Sequence, residues 1–224
     1  MDERVEVRSV VRQYATKSGT VRAVDGADLR ADAGEMIALL GASGSGKTTL
    51  LNIIAGLDVP DSGSVMVHGI ALNGLSEKER ARIRLEHIAI VFQDDNLIAE
   101  FTARENITIP LLAREMSLRE AARRADGALD ELGIGELGDR LPADMSGGQR
   151  QRVGIARALA GEQSVLLADE PTGALDSGAS RALFERLAGL AHDHDVCVLV
   201  ATHDPLCSEY ADRIVNVRDG RILE

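Results

Sequence analysis

The sequence predicts an α/β fold: a helix-covered parallel sheet with a small antiparallel β subdomain and an inserted helical subdomain. Three observations lead there. Short apolar runs bounded by glycine or charge recur at residues 36–40, 88–92, 165–168, 196–201 and 214–217, and unbroken runs of this length suit strands buried on both faces. Alternating segments at 5–7, 21–29 and 64–67 are separated by the turn signals Ser18-Gly19, Asp61-Ser62-Gly63 and Asn73-Gly74, the pattern of antiparallel strands. From about Asp95 to Gly161 the spacing becomes helical. The expected division is 1–94 with 162–224 as the α/β core carrying the β subdomain, and 95–161 as the helical subdomain.

Three helices are announced by candidate capping boxes, in which a Ser or Thr precedes a Glu by three residues: Ser76 with Glu79, Thr102 with Glu105, and Ser117 with Glu120. After Ser117, the residues Leu118, Ala122, Ala125, Leu129 and Leu132 recur at helical spacing and predict the buried stripe. The charge-rich stretch 77–84 reads as a solvated helix face.

Composition removes several classes of partner. A net charge of −11 repels phosphate backbones, and aromatic residues at 2% leave no platform for stacking bases, so nucleic acid is not expected as a partner. Cys197 and Cys207 have no CxxC spacing and read as reduced thiols. No apolar run approaches the roughly 18 residues of a membrane span, and the opening MDERVEVRSV has no secretory pattern. The expectation is a cytoplasmic chain without direct membrane insertion. Any polyanion it binds needs a local site.

Such a site follows the run 36–40. Gly41-Ala42-Ser43-Gly44-Ser45-Gly46-Lys47-Thr48-Thr49 leads from strand to helix and fits GxxxxGK[ST], a P-loop. Its glycines let successive N–H groups turn toward phosphate oxygens, and the next helix adds the positive end of its dipole. Lys47 supplies an ammonium to the terminal phosphates and the Thr48 hydroxyl a ligand to Mg²⁺. A nucleoside triphosphate is the expected substrate. The run 165–168 then ends in Asp169 and Glu170, one carboxylate suited to Mg²⁺ and the next suited to polarise water as a general base. No NKxD-like motif supports a GTPase.

The segment Met145-Ser146-Gly147-Gly148-Gln149-Arg150-Gln151-Arg152 resembles the LSGGQ signature of the ATP-binding-cassette (ABC) ATPases, with Met145 in place of Leu. Ser146, Gly147 and Gly148 precede an expected helix 149–159 and offer amides and a dipole end to a phosphate. The resemblance implies a P-loop NTPase fold with a RecA-like core. It also implies a head-to-tail homodimer in which each ATP lies between one P-loop and the partner's signature, with Ser146, Gly147, Gly148 and Gln149 on the nucleotide. It extends to Gln93 as the Q-loop glutamine near Mg²⁺ and water, Asp176 in the D-loop, His203 as the switch histidine, and Tyr14 as the adenine-stacking aromatic. The cofactors implied are ATP and Mg²⁺.

Across nearly the whole chain, the stretches TLLNIIAGLDVPDSGSV, IAIVFQDDNLIAEFTARENITIPLL and VLLADEPTGALD are similar to the lipoprotein-releasing, macrolide-exporter and cell-division ATPases (LolD/MacB/FtsE-like). This implies an ATPase subunit held at the inner face of the cell membrane by a separate integral membrane permease, driving export or mechanical transmission. Asp95 departs from that group, which carries an aromatic before Asn-Leu. A soluble DNA-maintenance ATPase is disfavoured, because the 99 residues from Lys47 to Ser146 hold no coiled coil or zinc module. A regulatory cassette acting through a sensor kinase shares every motif. His192-Asp193-His194-Asp195 resembles a ligand cluster but is expected between a helix and a strand, and His68 and His87 carry no signal.

Overall fold

In the computed structural model, which describes residues 2–17 and 19–223, β1 (Glu3–Thr16) and β2 (Gly19–Asp32) open the chain as a long antiparallel pair. The Ser18 half of the first expected turn lies outside the described residues. β3 (Met36–Leu40) then enters a second sheet and runs through the P-loop into α1 (Lys47–Ile54). β4 (Ser62–Val67) and β5 (Ile70–Ala71) return to the first sheet, giving the order β2-β1-β4-β5. Ser62 and Gly63, expected in a turn, already belong to β4.

Next come α2 (Glu77–His87) and β6 (Ile88–Val91), then the helices α3 (Ala103–Ala113), α4 (Leu118–Glu131) and α5 (Gly147–Leu159). β7 (Val165–Asp169), α6 (Ser177–His194), β8 (Cys197–Thr202), β9 (Arg213–Arg218) and β10 (Arg221–Leu223) complete the chain. The second sheet has the order β10-β9-β3-β8-β7-β6. Its neighbours are parallel throughout except β10, an antiparallel edge strand with no counterpart in the sequence reading.

The apolar runs are unbroken because this sheet is covered on both faces. Ile37, Leu39, Leu167 and Leu199 join the core shared with α1 and the antiparallel sheet. Met36, Ala38, Leu166 and Val198 join the core beneath α5 and α6. A third cluster, with Ile107, Leu111, Leu129 and Val153, lies among α3, α4 and α5.

One of the three expected capping boxes is incomplete. Ser76–Glu79 and Thr102–Glu105 form reciprocal boxes. Ser117 accepts from the Glu120 amide, but the Glu120 carboxylate binds Arg123 and Arg124 rather than returning to the Ser117 amide. The buried stripe of α4 is Ala121, Ala125, Ala128 and Leu129, while Leu118, in the first turn, is 68% exposed. His192, Asp193 and His194 sit in the last turn of α6 rather than in a loop; His192 binds Asp212. Among the described residues no cluster of three or more His, Cys, Asp or Glu is placed to hold a metal, there or elsewhere.

Candidate active site

Parallel strands deliver their carboxyl ends to one edge of a sheet, and ligands of open α/β folds lie there. Here Leu40 is opposite Thr202, Asp169 opposite Ala201, and Val91 opposite Ala168. The residues that follow these four strand ends are therefore neighbours in space: the P-loop after β3, Gln93 after β6, Glu170 after β7 and His203 after β8.

The P-loop is locked from behind. Gly46 has φ +106°, and a Cβ there would lie 2.1 Å from the Ala23 carbonyl of β2, so only glycine fits. The Gly220 amide bonds the Ser45 carbonyl at 2.9 Å. Ala42, Ser43 and Gly44 form the exposed crown of the loop, and Thr48 is exposed with Thr49 half-buried behind it. The N-terminus of α1 carries no side-chain cap and no acidic residue in its first turn, so its amides and dipole stay open to an anion. Lys47 is buried, and its ammonium donates to the Gly41 carbonyl at 2.7 Å and the Ala42 carbonyl at 3.2 Å. Its Nζ lies 3.9 Å from Glu170.

Asp169 is buried, and its Oδ1 has no hydrogen-bond partner. Burial raises its carboxyl above the usual range, against a lowering hydrogen bond from the Thr48 side chain. An orphaned buried carboxylate oxygen beside a threonine hydroxyl fits a hard divalent cation. Gln93 borders the same place: with Thr48, Asp169, Asn52 and Asp94 it lines a cavity of about 310 Å³.

Glu170 is held in a sparsely populated conformation. Its φ of +47° is left-handed, at a cost of about 1–2 kcal/mol for a residue with a Cβ. The Thr202 hydroxyl donates to its Oε2 at 2.9 Å and the His203 amide at 3.3 Å, while His203 Nδ1 lies 3.0 Å from the same oxygen. The buried Gln151 amide donates to the Glu170 carbonyl at 3.2 Å and accepts from the Ala174 amide at 2.8 Å. Thr202 and Gln151 were not singled out from sequence as supports of Glu170. A Thr-His-Asp run after an apolar strand was the available signal for one; for the other there was only its place within the signature.

Ser146 begins α5, which starts at Gly147 rather than at Gln149. The Ser146 hydroxyl accepts from the Gln149 amide at 3.3 Å, and Gln149 Oε1 accepts from the Ser146 amide at 2.8 Å, a reciprocal box that the sequence reading missed. The hydroxyl's own hydrogen remains free to donate. A Cβ on Gly147 would make only ordinary contact, 3.9 Å from the Ala174 Cβ, while one on Gly148 would press to 2.9 Å from the Ala174 carbonyl. The Asp176 carboxylate caps α6 by accepting from the Ala179 amide at 2.9 Å.

Tyr14 lies on β1 opposite Val21 of β2, two residues from the Ala23 that backs the P-loop. The Arg12 guanidinium stacks 4.8 Å from its ring centre, and its hydroxyl donates to Asp58. The ring is 38% exposed, an aromatic surface beside the loop.

Comparison with known proteins gives a consistent result. Residues 24–173 match the ABC transporter family. The chain is 42% identical to the lipoprotein-releasing system ATP-binding protein LolD 2 of Caulobacter vibrioides over 221 residues, covering 99% of this chain and 97% of that one. It is 38% identical to the bacitracin export ATP-binding protein BceA of Halalkalibacterium halodurans, covering 97% and 86%. Its backbone superposes with a TM-score of 0.95 on the dimeric ATP-binding cassette MJ0796 in a post-hydrolysis state bound to ADP and Pi, at 37% identity and covering 98% and 97% of the two chains.

Proposed function

Because the chain belongs to the ABC transporter family as an ATP-hydrolysing cassette, we propose that two copies close head to tail on two ATP molecules and drive a separate membrane permease. The observation that carries this reading is the meeting of Lys47, Asp169, Glu170 and His203 at the carboxyl edge of one sheet. The transport class is export or envelope transmission, as the names of the LolD and BceA relatives suggest.

In this reading the α1 amides and Lys47 take the β- and γ-phosphates, with Lys47 exchanging its two loop carbonyls for phosphate oxygens. Tyr14 stacks on the base. Asp169, Thr48 and Gln93 hold Mg²⁺, which when bound neutralises charge on the phosphates. Glu170 orients and deprotonates the attacking water. Thr202 and His203 fix the direction of its carboxylate, so that little reorganisation is left for the transition state. The second copy's Ser146 hydroxyl and Gly147–Gly148 amides complete the γ-phosphate shell, with Asp176 at the seam. The helical portion 95–161 carries the signature and moves against the core as the dimer closes.

No helix among the described residues is long and apolar enough to cross a membrane; in this reading the permease holds the chain at the inner face of the cell membrane. Two measurements test the reading. ATP turnover per molecule should fall on dilution, because each site borrows amides from the other copy; constant turnover at extreme dilution contradicts the shared site. Purification from the native membrane should bring down an integral membrane protein whose transport activity needs this chain.

A further inference from the structure

The loop after β6 contains Asp95, and the structure gives this residue specific work. The Arg150 guanidinium donates from Nε to Asp95 Oδ2 at 2.9 Å and, with a second nitrogen, to the Met145 carbonyl at 2.9 Å. Arg157 donates to the Asp95 carbonyl at 3.0 Å and the Asn96 carbonyl at 2.7 Å. Between these arginines, a Cβ on Gly154 would lie 3.2 Å from the Asp95 carbonyl. Residues 150, 154 and 157 are spaced i, i+4, i+7 and form one face of α5. The loop therefore lies flat on the signature helix, gripped at both ends.

We propose that Asp95 is a positioning residue that couples the Gln93 loop to the signature through Arg150. The guanidinium ties together two pieces of chain. One is the loop two residues beyond Gln93; the other is the carbonyl of Met145, directly before the Ser146 whose hydroxyl and following amides face the second copy. Moving the loop drags Arg150, and Arg150 pulls on the peptide that sets where Ser146 points. A push on the loop from a docked permease thus reaches the phosphate-facing amides without passing through the nucleotide. Lysine would hold the two acceptors less well, since its donors share one nitrogen whereas the guanidinium holds Nε and a terminal nitrogen apart in a fixed plane. The side chains of Asp95 and Arg150 are 24% and 37% exposed, which keeps the ion pair modest in strength and leaves its role one of geometry.

This inference rests on the ATP-closed dimer proposed above, and the test separates the two. In chains carrying Glu170→Gln, ATP-driven dimerisation is followed by sedimentation at rising ATP. Asp95→Asn and Arg150→Lys should each raise the ATP needed for half-dimerisation by roughly three- to tenfold. Their combination should be no worse than either alone, and Asp95→Glu should recover most of the loss. ATP affinity of the monomer, measured with Ser146→Arg also present, should not move, whereas general damage to the fold would lower both. An unchanged half-point in Asp95→Asn, or effects of the two substitutions that simply add, overturns the coupling while leaving the dimer standing. A parent that never dimerises with ATP removes the functional reading and the coupling together.

Discussion

Two helices of this protein have a glycine at the cap or first position and face phosphate in the proposed reaction, yet their first turns are built in opposite ways. α1 has a left-handed Gly46 as its cap, with no side chain bonded to its amides. α5 has Ser146 and Gln149 closed on one another in a reciprocal box. The surroundings differ in the same sense. A Cβ on Gly46 would strike the Ala23 carbonyl at 2.1 Å, whereas one on Gly147 meets nothing nearer than the Ala174 Cβ at 3.9 Å. The first terminus is shaped by its own chain and is ready for an anion. The second caps itself; it has room for a methyl at Gly147, while Gly148 is fixed by the Ala174 carbonyl of its own chain.

The largest expected effect falls on the first terminus. Lys47→Ala removes the buried ammonium and should abolish measurable nucleotide binding in a calorimetric titration, a loss on the order of 2–5 kcal/mol or more. Unchanged affinity would break the assignment of α1 as the phosphate end. Glu170→Gln preserves shape but removes the base. Hydrolysis should fall roughly 10²–10⁴-fold, while ATP now accumulates a dimer in sedimentation; a strictly monomeric protein would count against the second terminus having a role. The two glycines sharpen the contrast directly. Gly46→Ala should lower thermal stability and ATP binding together. Gly147→Ala should leave stability within about 0.5 kcal/mol but reduce turnover, because its methyl would project toward the incoming copy. Equal behaviour of the two variants would erase the distinction. The smallest effect is at the base: Tyr14→Ala should weaken ATP binding by about 1 kcal/mol, read as a several-fold rise in Kd.

The sheet was legible from sequence because burial on both faces leaves an uninterrupted apolar signature. β3 has the bounds read from its residues, and β7 exceeds them only by Asp169. Amphipathic elements were less exact. Leu118 is in phase with the stripe of α4, but a first-turn position leaves it in solvent, and periodicity alone does not reveal where a helix outruns its neighbours. β10 is three residues long, too short for alternation to register.

At the site, the residues singled out by local spacing were those on the P-loop, the strand end and the signature. Missing were the supports contributed across long sequence separations. Thr202 reaches Glu170 over 32 residues and Gln151 reaches it over 19. Arg150 meets Asp95 over 55. Each of these contacts exists only because strand order and helix docking bring distant segments together, so no window of sequence contains it.

The two thiols have a practical consequence. Cys197 and Cys207 are the chain's only cysteines, both are buried, and burial pushes each thiol up to about 12. At neutral pH they hold almost no thiolate and leave alkylating probes little to attack. A cysteine placed on the exposed face of α4 and another on β2 would accept fluorophores against a silent background. Distances could thus be followed in real time with neither of the chain's own thiols removed first.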